Sequence, residues 1–250
     1  MKTFSTVAII IYVNLFSVIA HAGNGKLPIK NQEFAVVLGK SRVIYNPSSK
    51  GQILPVVNEQ DYPMLVQTMI IADGEEKNTP TGSFRAVPPL FRLDGKQRAK
   101  IRIVQIGGQF PEDRESLYWV CVKGIPPSGD DSWAGGNRPE QATLMVQMSI
   151  KNCIKLLVRP NELVQHDPLL MAERLSWRLN QKELTAFNPT PFYINLSTIT
   201  VGGESVESVR HIAPFSSSTF SLLKGVSGEV KWRAISDLGG EGPLLNTVLP

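Results

Sequence analysis

The sequence predicts an all-β protein built from β-sandwich domains, and three observations lead to this prediction. The 250 residues include 20 glycines and 18 prolines, which is many for this length and indicates numerous turns. Short runs rich in β-branched and aromatic residues recur at roughly 8–12-residue intervals, a spacing typical of a sandwich. We find no amphipathic helix of convincing length. The chain is long enough for one large domain or two ordinary ones.

The N-terminal segment has the pattern of a secretory signal peptide. A mostly apolar run at residues 7–20 is followed by Ala20 and Ala22, which are small residues at the two positions that a signal peptidase reads. We therefore expect residues 1–22 to be removed before Gly23. The alternative is an uncleaved membrane anchor, but the run of 14 residues is shorter than the ~20 needed to span a bilayer.

Two domains are expected in the mature chain, at residues 23–161 and 162–250. A polar lead at 23–32 precedes the first domain, and Pro88 and Pro89 predict an edge or kinked segment at 84–93. The other predicted strands of this domain lie at residues 34–37, 41–45, 62–71, 100–106, 117–123 and 143–158. A Gly- and Pro-rich stretch at 126–141 predicts a long loop. We place the linker at 161–168, and the second domain has candidate strands at residues 176–180, 183–187, 193–200, 208–212, 218–223 and 229–235.

The chain has two cysteines, Cys121 and Cys153. Export makes an oxidising compartment the expected environment, so we predict one disulfide, with two free buried thiols as the alternative. Neither His166 nor His211 lies at a familiar metal-ligand spacing from them, so no metal site is expected. No phosphate-cradling motif is present, and we expect no cofactor. The net charge of +4 comes from dispersed Lys and Arg residues without interleaved aromatics, so nucleic-acid binding is not suggested.

One run has an unusually regular pattern. Leu144, Val146, Met148 and Ile150 recur with a period of two, which in a strand gives one apolar face. The simple interpretation is a half-buried core strand. However, the run follows a long loop and carries no charge, whereas exposed apolar edges are normally protected by charge or proline. Such an edge can be kept to pair with a partner by strand addition.

Seven short motifs, in order, resemble those of the periplasmic PapD-like pilus chaperones over roughly residues 34–242. They are SRVIY (41–45), PPLFRL (88–93), PEDRESLYW (111–119), IKLLVRP (154–160), NPTPFY (188–193), IAPF (212–215) and SDLGG (236–240). The resemblance implies two immunoglobulin-like sandwich domains set at an angle, with a cleft between them. The long loop and the cysteine pair resemble the long-loop, disulfide-containing branch, whose members serve thin, simple surface fibres.

The resemblance also implies roles for individual residues. Arg42 and Lys155 match the two cations that grip the C-terminal carboxylate of a fibre subunit. Because Lys155 follows Ile150 by five residues, we expect this anchor and the apolar run to lie on one strand. The run itself matches the donor strand that completes a subunit lacking its own last strand. A further set, Glu115, Arg159 and Asp237, matches ion pairs that tie the two domains together.

The implied function is binding, folding and capping of fimbrial subunits in the periplasm, with delivery to an outer-membrane usher. The loop residues Asp130, Asp131, Trp133, Gly135 and Gly136 match no assigned feature. The sequence does not identify the cognate subunit or the receptor of the fibre, and it leaves open whether the free protein self-associates.

The sequence leaves two alternatives from other classes, and it disfavours both. A secreted structural or adhesive immunoglobulin-like module, such as a fibre subunit, is disfavoured by the two-domain length and by the Arg42–Lys155 pair. An enzyme is disfavoured because His166 and His211 have no nucleophile motif beside them.

Overall fold

The structure is a computed structural model, and it describes residues 28–74, 79–128, 131, 144–222, 225 and 227–249. The predicted signal peptide lies outside these residues, as do the loop residues Asp130, Trp133, Gly135 and Gly136. The described part is mainly β-structure in two sandwiches, which confirms the predicted fold class. Within it, no helix is long and apolar enough to cross a membrane.

Strands β1 to β11 form the first domain. They are β1 (Ile29–Phe34), β2 (Val37–Leu38), β3 (Arg42–Tyr45), β4 (Gln52–Val57), β5 (Met64–Ala72), β6 (Phe84–Val87), β7 (Leu90–Leu93), β8 (Arg98–Gln105), β9 (Ser116–Ile125), β10 (Leu144–Ser149) and β11 (Lys151–Val158). A five-stranded sheet in the order β3-β11-β9-β5-β7 packs against a four-stranded sheet in the order β2-β4-β8-β6. The alternating burial of β4, β5 and β8 follows from this packing, because each strand turns one row of side chains into the core.

Three features of this domain differ from the sequence analysis or refine it. The polar lead contains a strand, β1, because its backbone pairs in parallel with β10. Strand β4 was not predicted, although it lies inside the four-stranded sheet between β2 and β8 and includes Pro55. The segment at 84–93 is divided at a cis peptide bond before Pro88, and its halves join different sheets as edge strands. The predicted edge or kink is therefore confirmed.

The second domain contains strands β12 to β19. They are β12 (Ser176–Asn180), β13 (Glu183–Asn188), β14 (Ile194–Val201), β15 (Glu204–Ser205), β16 (His211–Ile212), β17 (Ser216–Ser221), β18 (Glu229–Ala234) and β19 (Leu245–Val248). One sheet has the order β12-β13-β17, and the other has the order β15-β14-β18-β19, with β16 also paired to β14. Trp177 and Trp232 meet in the core between them at a centroid distance of 5.2 Å.

The connection between the domains has short helical turns. The predicted linker at 161–168 begins with a 3₁₀ turn, Asn161–Leu163, and its last residue begins α1 (Pro168–Met171). The Asp167 carboxylate accepts a hydrogen bond from the backbone N–H of Leu169 at 2.9 Å, which caps this short helix. Asn161 is fixed to the first domain because its side chain bonds both Asn46, at 2.7 Å, and Ser48, at 2.6 Å.

Candidate functional site

Two cations meet on adjacent strands of the five-stranded sheet. Arg42 begins β3, and Lys155 lies in β11 as its register partner in a parallel pair. Side chains at paired positions of neighbouring strands lie on the same face of a sheet. The fold therefore brings together the two residues that the sequence analysis selected from positions more than a hundred residues apart.

The Arg42 guanidinium is buried with unused hydrogen-bonding capacity. The residue is only 9% exposed, and its Nε and Nη1 atoms make no hydrogen bond with the described part of the chain. Burial lowers the pKa of Arg42, while Asp237 opposes that shift. Buried donors without partners are costly, and native structures normally satisfy them. Arg42 is thus prepared for an acceptor that the described residues do not supply.

Lys155 has three neighbours in this corner. Its Nζ donates to the Asn195 side-chain oxygen of the second domain, lies 5.8 Å from the centroid of the Trp119 ring, and shares the corner with Arg42. Burial lowers the pKa of Lys155 to about 8, and the positive charge of Arg42 adds to that decrease. An arriving carboxylate would relieve both effects, because it offers a counter-charge and hydrogen-bond acceptors.

The second domain contributes a polar wall to this corner. Asn195 is itself fixed, since its Nδ2 donates to the Tyr193 carbonyl at 3.1 Å. The Tyr193 ring contacts the His211 ring at a centroid distance of 5.4 Å. Burial lowers the pKa of His211 to about 4, with Lys155 as the next cause, so this imidazole is neutral near pH 7. Nearby, the Trp119 indole N–H donates to the Asp73 carboxylate at 2.8 Å.

Sequence reasoning missed Asn195, and no pattern in the sequence points to it. Asn195 lies 40 residues beyond Lys155, and only the docking of the two domains brings it within hydrogen-bond distance. His211 was considered only as a metal ligand or a catalytic base. The described residues include no group of three His, Cys, Asp or Glu side chains that could hold a metal ion. The arrangement is suited to binding an anionic group.

The apolar run forms an exposed ribbon. All six residues of β10 are exposed, including Leu144 at 51%, Val146 at 39% and Met148 at 40%. Strand β10 pairs only with β1 in a two-stranded parallel sheet, so β10 has a second edge without a strand partner among the described residues. The interpretation as a half-buried core strand does not hold, because these side chains are not in the core.

The apolar run and Lys155 do not share one continuous strand. Ile150 lies between β10 and β11 and is half-buried, and its N–H donates to the Phe34 carbonyl at 3.2 Å. Its carbonyl accepts from the Gly124 N–H, also at 3.2 Å. This double attachment holds the backbone where the ribbon leaves the sandwich. A Cβ at position 124 would collide with the Phe34 carbonyl, so the crossing requires glycine.

The disulfide prediction is confirmed. Cys121 of β9 and Cys153 of β11 are cross-strand partners, and their sulfur atoms are bonded at 2.08 Å. The bond closes a loop of 32 residues in sequence separation and joins the two strands that flank the long loop. It lies between the ribbon and Lys155, so the base of the ribbon is covalently fixed to the sheet.

An ion-pair network connects the two domains. Arg159 Nε donates to Glu115 at 2.7 Å, and Nη1 and Nη2 donate to the two oxygens of Asp237 at 2.7 and 2.9 Å. The second oxygen of Glu115 accepts from the backbone N–H of Tyr193 at 2.8 Å. Burial raises the pKa of Glu115, but Arg159 and this N–H oppose the rise and favour the ionised carboxylate. The three residues thus form one contact across the domain boundary, next to the corner that holds Arg42.

Two family models match the chain. Residues 35–164 match the PapD N-terminal domain of pili and flagellar-assembly chaperones, and residues 170–244 match the C-terminal domain of the pili assembly chaperone PapD. The two matches follow one another along the chain and divide it between the two sandwiches.

Curated relatives carry chaperone names. The chain is 49% identical to the chaperone protein AfaB of Escherichia coli over 77% of its own length and 78% of that protein. It is 43% identical to the chaperone protein caf1M of Yersinia pestis over 96% of its own length and 95% of that protein.

Solved structures agree in fold. The E. coli chaperone DraB superposes with a TM-score of 0.76 at 44% identity, covering 89% of this chain and all of that one. A chain from the complex of the Salmonella enterica SafA pilin with the SafB chaperone superposes with a TM-score of 0.78 at 40% identity, with the same coverage. With both domains matched in order and nearly the full length aligned to named chaperones, the chain belongs to the PapD-like family of pilus assembly chaperones.

Proposed function

We propose that this protein binds fimbrial or other surface-fibre subunits, caps them by donating β10 as their missing strand, and delivers them to an outer-membrane usher. The proposed compartment is the periplasm, consistent with the signal-like N-terminus and the disulfide. The proposed action is binding without catalysis. We also retain the domain boundary between residues 161 and 162 as a proposal.

The observation that carries the proposal is the Arg42–Lys155 corner. Two cations are paired on adjacent strands, and Arg42 keeps two buried donor atoms without partners. Like charges in a poorly solvated site repel each other, and an anion that bridges them removes that cost. A C-terminal carboxylate is small, carries one negative charge and accepts several hydrogen bonds, so it fits this role.

The exposed ribbon supports the second half of the proposal. Leu144, Val146 and Met148 alternate along β10, which has an unpaired edge. A subunit that lacks one strand offers the matching partner, with backbone groups for the edge and an apolar groove for the side chains. Full burial of three such side chains gives about 5–9 kcal/mol before ordering and association costs are subtracted. The corner formed by Arg42 and Lys155, which we call the carboxylate corner, would set the register of this pairing.

The proposal is tested by co-expressing the mature chain with a fibre subunit and measuring the complex recovered by pull-down. The variant Val146→Asp/Met148→Asp places charge on the proposed donor face. We expect it to recover little or no complex and to leave the subunit aggregated or degraded, because a buried carboxylate without a partner is strongly unfavourable.

The matched control is Met145→Asp/Gln147→Asp, which adds the same charge to the same exposed strand at the alternate positions. We expect the control to retain most of the complex. Equal recovery from the two variants, whether high or low, would contradict donation by one face of β10. Thermal unfolding of both free variants checks that neither change disrupts the sandwich.

A further inference from the structure

The outer face of the four-stranded sheet carries a second charged surface, on the opposite side of the first sandwich from Arg42 and Lys155. Strands β2, β4, β6 and β8 contain no acidic residue. Their outward, exposed positions include four cations, which we call the basic face: Arg85, Arg98, Lys100 and Arg102. The basic residues are dispersed along the sequence, but the period-two spacing in β8 places three of them in one row.

Aliphatic side chains of the neighbouring strands flank the row of cations in β8. In the register of β4 and β8, Arg98 is opposite Val57, Lys100 is opposite Pro55, and Arg102 is opposite Ile53. On the other side of the row, β6 places Val87 beside Arg102 and Arg85 beside Val104. Ile53 and Val87 are 40% and 46% exposed, so the surface presents charge and hydrocarbon together.

The cations of this face are not neutralised within the described part of the chain. None of the four takes part in an ion pair there, and Arg102 donates only to the backbone carbonyl of Lys50, at 2.6 Å. The acidic residues Glu59 and Asp61 lie beyond the end of β4. There they meet Lys96, whose Nζ contacts the Glu59 carbonyl at 2.5 Å and the Asp61 carboxylate at 3.1 Å.

We propose that the basic face docks this chaperone reversibly on the anionic headgroup surface of a phospholipid membrane. An array of Lys and Arg residues attracts anionic headgroups, and aliphatic side chains beside them enter the boundary between headgroups and acyl chains. An acidic peptide would neutralise the cations but would leave the flanking Ile53 and Val87 without a partner. The mixture of charge and hydrocarbon on one broad sheet face therefore favours a membrane surface.

The location of the basic face is compatible with subunit binding. Arg42 and Lys155 belong to the five-stranded sheet, and the basic face belongs to the four-stranded sheet on the other side of the core. A chain docked through the basic face would keep Arg42 and Lys155 accessible, and β10 belongs to neither sheet of the sandwich, because it pairs with β1 in a separate two-stranded sheet. Membrane docking is thus independent of the proposed subunit binding, and each can fail without the other.

The test measures co-sedimentation of the mature chain with phosphatidylcholine vesicles in which a third of the lipid is phosphatidylglycerol, and with pure phosphatidylcholine vesicles. We expect binding to the anionic vesicles only, and we expect it to weaken as salt is added. Each basic residue near such a surface strengthens partitioning about five-fold. The variant Arg85→Gln/Arg98→Gln/Lys100→Gln should therefore bind the anionic vesicles about 100-fold more weakly.

The control variant removes the same net charge from exposed positions of the second domain: Arg174→Gln/Arg178→Gln/Lys182→Gln. It should partition like the unmodified chain. If both variants bind the anionic vesicles equally weakly, binding depends only on net charge and the proposal is overturned. An absence of binding to the anionic vesicles would also overturn it. If the vesicles are not bound but soluble polyglutamate is, with the same dependence on Arg85, Arg98 and Lys100, the partner is an acidic polypeptide and the membrane is excluded.

Discussion

Lys155 of the first domain donates a hydrogen bond from its Nζ to the side-chain oxygen of Asn195 in the second domain. The corner that holds the buried Arg42 and the half-buried Lys155 is therefore completed by both domains. One side is formed by β3 and β11, and the other by β14 and its neighbours. This relationship determines how the corner should respond to mutation and to pH.

Replacement of either cation should affect the affinity for a subunit differently from the stability of the free chaperone. We expect Arg42→Met and Lys155→Met each to weaken subunit binding about 10- to 100-fold, the value of one charge-assisted hydrogen bond. The free energy of unfolding of the free chaperone should not decrease for Arg42→Met, because that change removes a buried charge with unpartnered donors. Titration calorimetry and urea denaturation measure the two quantities. A variant that loses stability and keeps its affinity would contradict the assignment.

The affinity for a subunit should decrease with pH above about 8. Burial lowers the pKa of Lys155 to about 8 in the free protein, and a bound carboxylate raises it again. The complex then holds more protons than the free chaperone at higher pH, so the affinity falls by up to about 10-fold per pH unit until the pKa of the complex is reached. Lys155→Arg should remove the decrease, since arginine stays charged. A pH-independent affinity in the unmodified chain would contradict this account.

The stability of the free chaperone should decrease between pH 6.5 and pH 4 because of His211. Burial lowers the pKa of this imidazole to about 4, so in that interval the unfolded chain binds a proton that the folded chain does not. Because the unfolded chain binds the additional proton, the free energy of unfolding decreases as the pH falls. His211→Gln should show a shallower decrease, and the difference between the two denaturation profiles isolates this residue. If the stability of the unmodified chain and that of His211→Gln decrease with the same slope, a group other than His211 is responsible.

The effects of substituting Arg159 and Glu115 on the free energy of unfolding should be strongly coupled. Arg159 and Glu115 are 5% and 0% exposed at the side chain, so Arg159→Met leaves a buried carboxylate without its main partner. We expect a loss of about 3–5 kcal/mol in the free energy of unfolding. The double variant Glu115→Gln/Arg159→Met should lose less than the sum of the single variants. Lys231→Met, which breaks a partly exposed ion pair with Glu229, serves as a control with little effect.

The sequence predicted most strands because alternation and turn residues are local signals. Pro88 and Pro89 marked the divided edge strand, and the period of two in residues 144–150 marked the ribbon. The prediction failed for β1, whose residues are mostly polar and whose strand conformation depends on pairing with β10. It also failed for β4, which lies inside a sheet although it contains Pro55, a residue that is normally confined to edge strands. In both cases a distant partner decided the structure.

Only those residues of the candidate site that lie in recognisable short motifs could be predicted from the sequence. Arg42 and Lys155 were selected through the resemblance, since either residue alone is an ordinary strand cation. Asn195 and the basic environment of His211 depend on how the domains meet, which no local pattern encodes. The charged row of β8 had a readable signal, the alternation of Arg98, Lys100 and Arg102, but its significance required knowledge of which face is outward.

The contact between Lys155 and Asn195 also bears on protein engineering. Strand β10 is a short linear segment and could be grafted onto another immunoglobulin-like scaffold, where it would keep its apolar pattern. The carboxylate corner cannot be moved in the same way, because its parts come from two domains whose docking also depends on Arg159. A single-domain fragment would keep β10 and lose part of the corner that we propose sets its register. We therefore expect such grafts to be indiscriminate toward extended apolar segments.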